Sequence, residues 1–226
     1  MIIILHGGNG KKEKHIEKAY DFVKKGFFVT LFDAYGHGEL KSIDNTKDFN
    51  IDNLLKCYLE TTKSINIISN SYEDNIYGDL NRIGLMGISM GAHTIYYNIL
   101  KERKSNIKAA VPINGSPCWI TFVRRYINNI SDKNLFFANE EIIKLENYMK
   151  NIHPLSSKGS IDFPLLMLNG EKDNLIPIDV VKKSYNQLKE TYTQKELIKI
   201  IEYKDTGHIV IPEMLESACN WFKKYL

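Results

Sequence analysis

Apolar positions along the chain recur with two different periods, and the periods alternate. Ile2 to Leu5 is a short, wholly apolar run, as expected of a strand buried on both faces. Glu13 to Lys25 follows with Ile16, Ala19, Tyr20 and Val23 at helical spacing, and Gly26 stands where the helix should end. Phe27 to Phe32 predicts a second strand. Asp48 to about Asn66 predicts a helix carrying Ile51, Leu54, Leu55, Tyr58 and Leu59. Arg82 to Met86, Ala109 to Ile113, Leu165 to Leu168 and Leu197 to Tyr203 predict the remaining strands. Thr94 to Lys101, Ile178 to Leu188 and a last segment with Leu215, Ala218, Cys219 and Phe222 predict helices. Strand–helix alternation of this kind predicts a mostly parallel, six-stranded sheet with helices on both faces, in one domain spanning residues 1–226. The segment 116–157 breaks the alternation. It is long for a crossover and rich in aromatics and helix formers, so it is expected to form a small helical cap inserted in that domain.

In such sheets ligands bind beyond the carboxyl ends of the strands, so the residues just after each strand carry the candidate chemistry. Gly87-Ile88-Ser89-Met90-Gly91 follows a strand and opens a helix. That strand–turn–helix lifts a serine hydroxyl clear of the sheet, and glycines on either side relieve crowding at the sharp turn. The bland alternative is an ordinary turn with Ser89 as helix cap.

A serine hydroxyl needs a base. His208, in Asp205-Thr206-Gly207-His208 after the last strand, is the candidate. His6 is assigned to the loop after the first strand, His37 and His93 to structural roles, His15 to a solvated helix face and His153 to the turn before Pro154. The carboxylate that orients the base is expected to be Asp173, in Gly170-Glu171-Lys172-Asp173-Asn174, with Glu171 the nearby competitor. Met90 N–H and Gly8 N–H, or else Asn9 N–H, are the candidate donors to an oxyanion. The Gly-rich loop at His6 to Gly10 lacks both dinucleotide and P-loop spacing, which argues against phosphate binding.

Together these residues resemble the α/β-hydrolase superfamily, over nearly the whole chain. The order Ser89, Asp173, His208 is that family's order. Asp33-Ala34-Tyr35-Gly36-His37-Gly38 and Asn169 to Pro177 are similar to turns of its prolyl-oligopeptidase and dienelactone-hydrolase-like branch, which includes small bacterial carboxylesterases. The resemblance implies a serine hydrolase that cleaves small carboxylic esters through an acyl-enzyme, without a cofactor or a metal. A serine at the elbow argues against dehalogenases and epoxide hydrolases, which use a carboxylate there, and against dienelactone hydrolases, which use cysteine. The alternative enzyme is a peptidase or aminoacyl-releasing hydrolase of prolyl-oligopeptidase type. A different class again is a catalytically silent, ligand-binding hydrolase fold. Because the chain opens on the strand before the oxyanion loop, the family's antiparallel N-terminal strands are expected to be missing. A propeller domain before that strand is likewise expected to be missing, which weighs against peptidase activity.

Composition narrows the partners. Apolar residues make up 43% and charged residues 25%, within the globular range. No apolar run approaches the ~20 residues of a membrane span. A net charge of +3 is too weak a bias to suggest nucleic acid. Cys57, Cys118 and Cys219 lack disulfide or metal spacing. The expected setting is the cytoplasm and the expected partner a small-molecule ester. Trp119, Phe122, Tyr126, Phe136 and Phe137 crowd one segment near the catalytic rim. They either line an acyl or alcohol pocket, with Trp119 and Phe122 foremost, or fasten the cap to the sheet.

Overall fold

A computed structural model describes residues 1–41, 51–71, 79, 81–104, 106–121, 123–124, 139–156 and 162–226. Its strands are β1 (Ile2–Leu5), β2 (Val29–Phe32), β3 (Ile83–Ile88), β4 (Ile107–Ile113), β5 (Leu165–Gly170) and β6 (Ile198–Tyr203). Its longer helices are α1 (Ile16–Val23), α2 (Ile51–Ser71), α3 (Met90–Tyr97), α4 (Asn139–Ile152), α5 (Ile178–Thr191) and α6 (Pro212–Tyr225). The strands form a single sheet in the order β2-β1-β3-β4-β5-β6, and every neighbouring pair is parallel.

The all-apolar strands are explained by what covers them. On β1, Ile3 and Leu5 enter one core with Ile65 of α2, Ile95, Tyr96 of α3, and Val181, Leu188 of α5. Ile2 and Ile4 point the other way, into a core with Ala19 and Phe22 of α1 and Met214, Ala218 and Phe222 of α6. β5 splits in the same manner, Leu165 and Met167 to one face, Leu166 and Leu168 to the other. Each such side chain contributes roughly 1.5–3 kcal/mol when fully buried. Polar residues would break either layer, which is why the strands read as runs and not as alternations.

Two expectations for the first helix need correction. Ile16, Tyr20 and Val23 are not its core face; they are 56%, 60% and 48% exposed. The buried stripe is His15, Ala19 and Phe22, also spaced i, i+4, i+7. Phe22 decides the rotation: its ring meets Phe27 and Phe222 at 6.5 and 6.2 Å, filling the layer under α6. His15 is therefore buried, not solvated, and its ring stacks on that of His6.

Within 116–157 the structure describes helix at 119–121, at 123–124 and in α4, followed by a 3-10 turn at Pro154–Ser156. Trp119, Val123 and Met149 pack with Leu54, Leu55 and Tyr58 of α2 and with Met90 of α3. Trp119 lies 4.7 Å from the Tyr58 ring and stacks on Tyr97 at 5.6 Å. It is 1% exposed, so it does not face an open cavity as a pocket residue would. Phe122, Tyr126, Phe136 and Phe137 lie outside the described residues. Trp119→Ala is expected to lower stability by about 3–5 kcal/mol. The kcat/KM ratios among acetyl, butyryl and octanoyl esters should stay unchanged. A shifted chain-length profile in that variant would return Trp119 to the pocket.

Candidate active site

The strand β3 runs on to Ile88 and delivers Ser89 at its tip. Ser89 has φ 52 and ψ −110, a strained turn that ends the strand and starts α3 at Met90. Glycine is required on both sides by close approach. A Cβ on Gly87 would lie 2.4 Å from the Gly91 carbonyl oxygen, and one on Gly91 would lie 2.7 Å from the Leu5 backbone. Ser89 N–H donates to the Ile113 carbonyl at 2.8 Å, tying the elbow to the end of β4.

Beyond β5 the chain turns at Asp173, whose Oδ1 accepts the N–H groups of Leu175 and Ile176, both at 2.9 Å. These bonds point Oδ2 at His208 Nδ1, 2.7 Å away. His208 Nε2 lies 2.9 Å from Ser89 Oγ. The network assigns the tautomer: Nδ1–H donates to Asp173, and Nε2 accepts from the serine hydroxyl. The Asp173 side chain is fully buried, whereas His208 is 23% exposed, enough to meet a substrate. Glu171, the competing acid, is exposed. So Ser89, His208 and Asp173 come together from three strand ends.

The loop after β1 lies beside them. A Cβ built on Gly7 would be 3.6 Å from that of Ser89. Gly10 N–H closes a turn onto the Gly7 carbonyl, leaving Gly8 and Asn9 exposed at its tip. Met90 N–H is the first donor of α3, where no intrahelical acceptor exists. His6 holds this loop. Its Nδ1–H donates to the Gly7 carbonyl at 2.8 Å, and its Nε2 accepts Ala34 N–H at 2.9 Å. Burial lowers the His6 pKa, in keeping with the neutral ring these bonds need. Asp33, on the next strand end, accepts Lys12 N–H at 2.8 Å and Glu39 N–H at 3.0 Å. Burial opposes its ionisation, but those donors and the Lys12 ammonium outweigh burial and lower its pKa.

His93 lies beneath, buried on α3, with Tyr58 Oη 2.9 Å from its Nδ1. Burial, and next the charge of His208, lower its pKa to about 3. Burial also lowers His15 and His153 to about 4. These rings are neutral when folded and protonate near ~6.5 when unfolded. Below that value the unfolded chain binds more protons, so stability falls with pH until the folded values are reached. For His93 the slope is about 1.4 kcal/mol per pH unit. The urea midpoint is expected to drop steadily from pH 6.5 to 4.5; a flat midpoint over that range would contradict the buried neutral rings.

A cavity of about 170 Å³ lined by Ile99, Ile107 and Phe163 sits at the opposite, amino-terminal end of β4 and β5 and touches none of these residues. Among the described residues no group of three or more His, Cys, Asp or Glu side chains could hold a metal, and no helix is long and apolar enough to cross a membrane.

Residues 60–226 match the prolyl oligopeptidase family. The chain belongs to that family. It is accordingly a serine hydrolase. A candidate esterase of Bacillus subtilis, YitV, is 27% identical over 231 residues, covering 100% of this chain and 89% of that protein. Among solved structures, TT1662 from Thermus thermophilus has a TM-score of 0.74 at 17% identity, covering 99% of this chain and 87% of that one. The Pyrococcus furiosus esterase Pf2001 has a TM-score of 0.70 at 20% identity, covering 99% and 82%. The fold is that of the α/β-hydrolases.

Proposed function

We propose that this member of the prolyl oligopeptidase family hydrolyses small carboxylic esters through an acyl-enzyme on Ser89. The observation that carries the reading is the continuous chain Ser89 Oγ–His208–Asp173, with bonds of 2.9 and 2.7 Å. His208 Nε2 takes the hydroxyl proton as Ser89 Oγ attacks the ester carbonyl carbon. Asp173 stabilises the imidazolium that results. The oxyanion is held by Met90 N–H and Gly8 N–H, each donor contributing about 3 kcal/mol at the transition state. The tetrahedral intermediate collapses, and the alcohol leaves with the proton from His208. Water, deprotonated by the same nitrogen, then releases the acid and regenerates Ser89.

The described helical residues between 119 and 152 serve as a cap, fastened through Trp119 and Met149 to α2 and α3. Three cysteines without disulfide or metal spacing read as reduced thiols and support a cytoplasmic setting. The esterase name of YitV, spanning nearly all of this chain, supports esters over peptides; the family itself keeps peptide hydrolysis as the second reading. A fluorophosphonate probe should label Ser89 and no other residue. Turnover of p-nitrophenyl esters should then exceed that of chromogenic dipeptides. Dipeptide cleavage alone would select the peptidase reading, and absence of labelling would select a silent binding fold.

A further inference from the structure

The end of β4 carries a side chain to which no role has yet been given. Asn114 is 1% exposed and sits at φ 51, in the left-handed region. Its Nδ2 donates to the Ile209 carbonyl at 2.7 Å, one residue beyond the base. Its Oδ1 accepts Gly170 N–H at 3.3 Å, at the root of the acid loop. Those two bonds fix the amide's orientation, because a carbonyl can only accept and an N–H only donate. The neighbouring carbonyl, Ile113, is the one that holds Ser89 N–H.

Three connections therefore converge on two adjacent residues. The nucleophile elbow hangs from Ile113, and the acid and base loops are joined through the Asn114 amide. The loops are also pressed together at Gly170, where a Cβ would lie 2.3 Å from the Thr206 carbonyl oxygen. Lys172 N–H donates to that same oxygen at 2.8 Å. Backbone contact thus sets the spacing of the loops near their roots, but the described hydrogen bonds tie the segment just past His208 to the sheet through Asn114.

The geometry points to Asn114 as a positioning residue that sets His208 against Ser89 and Asp173. The inference rests on the Ser89–His208–Asp173 reading. The competing explanation is conformational only: asparagine tolerates the left-handed region better than other side chains, and any residue able to adopt it would serve. Two variants separate the explanations. Asn114→Gly keeps the backbone conformation and removes the amide. Asn114→Asp keeps an acceptor for Gly170 but turns a carboxylate oxygen toward the Ile209 carbonyl.

Both variants, with wild type and Ser89→Ala, would be assayed on p-nitrophenyl acetate well below their melting temperatures. The downfield proton resonance of His208 Nδ1–H would be recorded alongside. Displacing the base is expected to lower kcat in Asn114→Gly about ten- to a hundred-fold while KM changes less than about three-fold. The His208 resonance should shift or broaden in the same variant, which a loss of stability alone would not cause. A folded Asn114→Gly with kcat within about two-fold of wild type and an unmoved resonance would overturn the proposal. If Asn114→Gly does not fold, the same criteria apply to Asn114→Asp. Undiminished turnover in Ser89→Ala would instead overturn the triad reading beneath it.

Discussion

Ser89→Ala is expected to lower the kcat for ester hydrolysis by roughly five to six orders of magnitude, down to the turnover that binding and oxyanion donors alone support. The alanine cannot form the acyl-enzyme, and His208 then has no hydroxyl to deprotonate. The fold should survive, because Ser89 owes its place to backbone bonds, its N–H to Ile113 and its carbonyl to His93 N–H. Circular dichroism and the melting temperature check that. Its φ of 52 is as strained for alanine as for serine, so the substitution adds no backbone strain and the melting temperature should change little. A variant retaining a tenth of wild-type turnover would remove Ser89 from the role of nucleophile.

Asp173→Asn is expected to cost about four orders of magnitude in kcat. An amide presents an N–H where His208 Nδ1–H now donates, so the ring is pushed toward the tautomer that cannot accept the serine proton. The backbone bonds from Leu175 and Ile176 can persist on the remaining oxygen, so the loop should hold its shape. Glu171→Gln is the control. Glu171 shares the loop but is exposed, and its variant should leave kcat within about two-fold of wild type. The reverse ranking of the two variants would move the acid to Glu171. Both measurements need stopped assays on active-site-titrated enzyme, since a trace of wild type would mask losses this large.

Much of this architecture is legible before any coordinates, for a physical reason. A strand covered on both faces must be apolar throughout, so Ile2 to Leu5 and Leu165 to Leu168 announce a parallel sheet by composition alone. The elbow announces itself because only glycine fits at Gly87 and Gly91. Chain order then places Ser89, Asp173 and His208 after β3, β5 and β6, where the structure brings their side chains into hydrogen-bond contact.

What the sequence leaves open are choices between local solutions of equal quality. The first helix carries two stripes at the same spacing, Ile16-Tyr20-Val23 and His15-Ala19-Phe22. Periodicity cannot rank them, and the rotation follows from Phe22 meeting Phe27 and Phe222 across the core. Asp173 is the expected acid but Glu171 shares its loop, and the Leu175 and Ile176 N–H groups together with His208 show which of them turns inward. Trp119 could serve a pocket or a core until Tyr58 and Tyr97, distant in sequence, close on it. Asn114 follows a strand like many turn residues, and its amide acquires meaning only when Gly170 and Ile209 arrive on either side. The sequence by itself determined the sheet, its order of chemistry and the candidate nucleophile, because those depend on short-range rules of burial and turn geometry. Tertiary structure alone decided which face and which amide, and it showed which carboxylate meets the base, because those depend on Phe222 for Phe22, on His208 for Asp173, and on Gly170 and Ile209, 56 and 95 residues from Asn114, partners that no local pattern encodes.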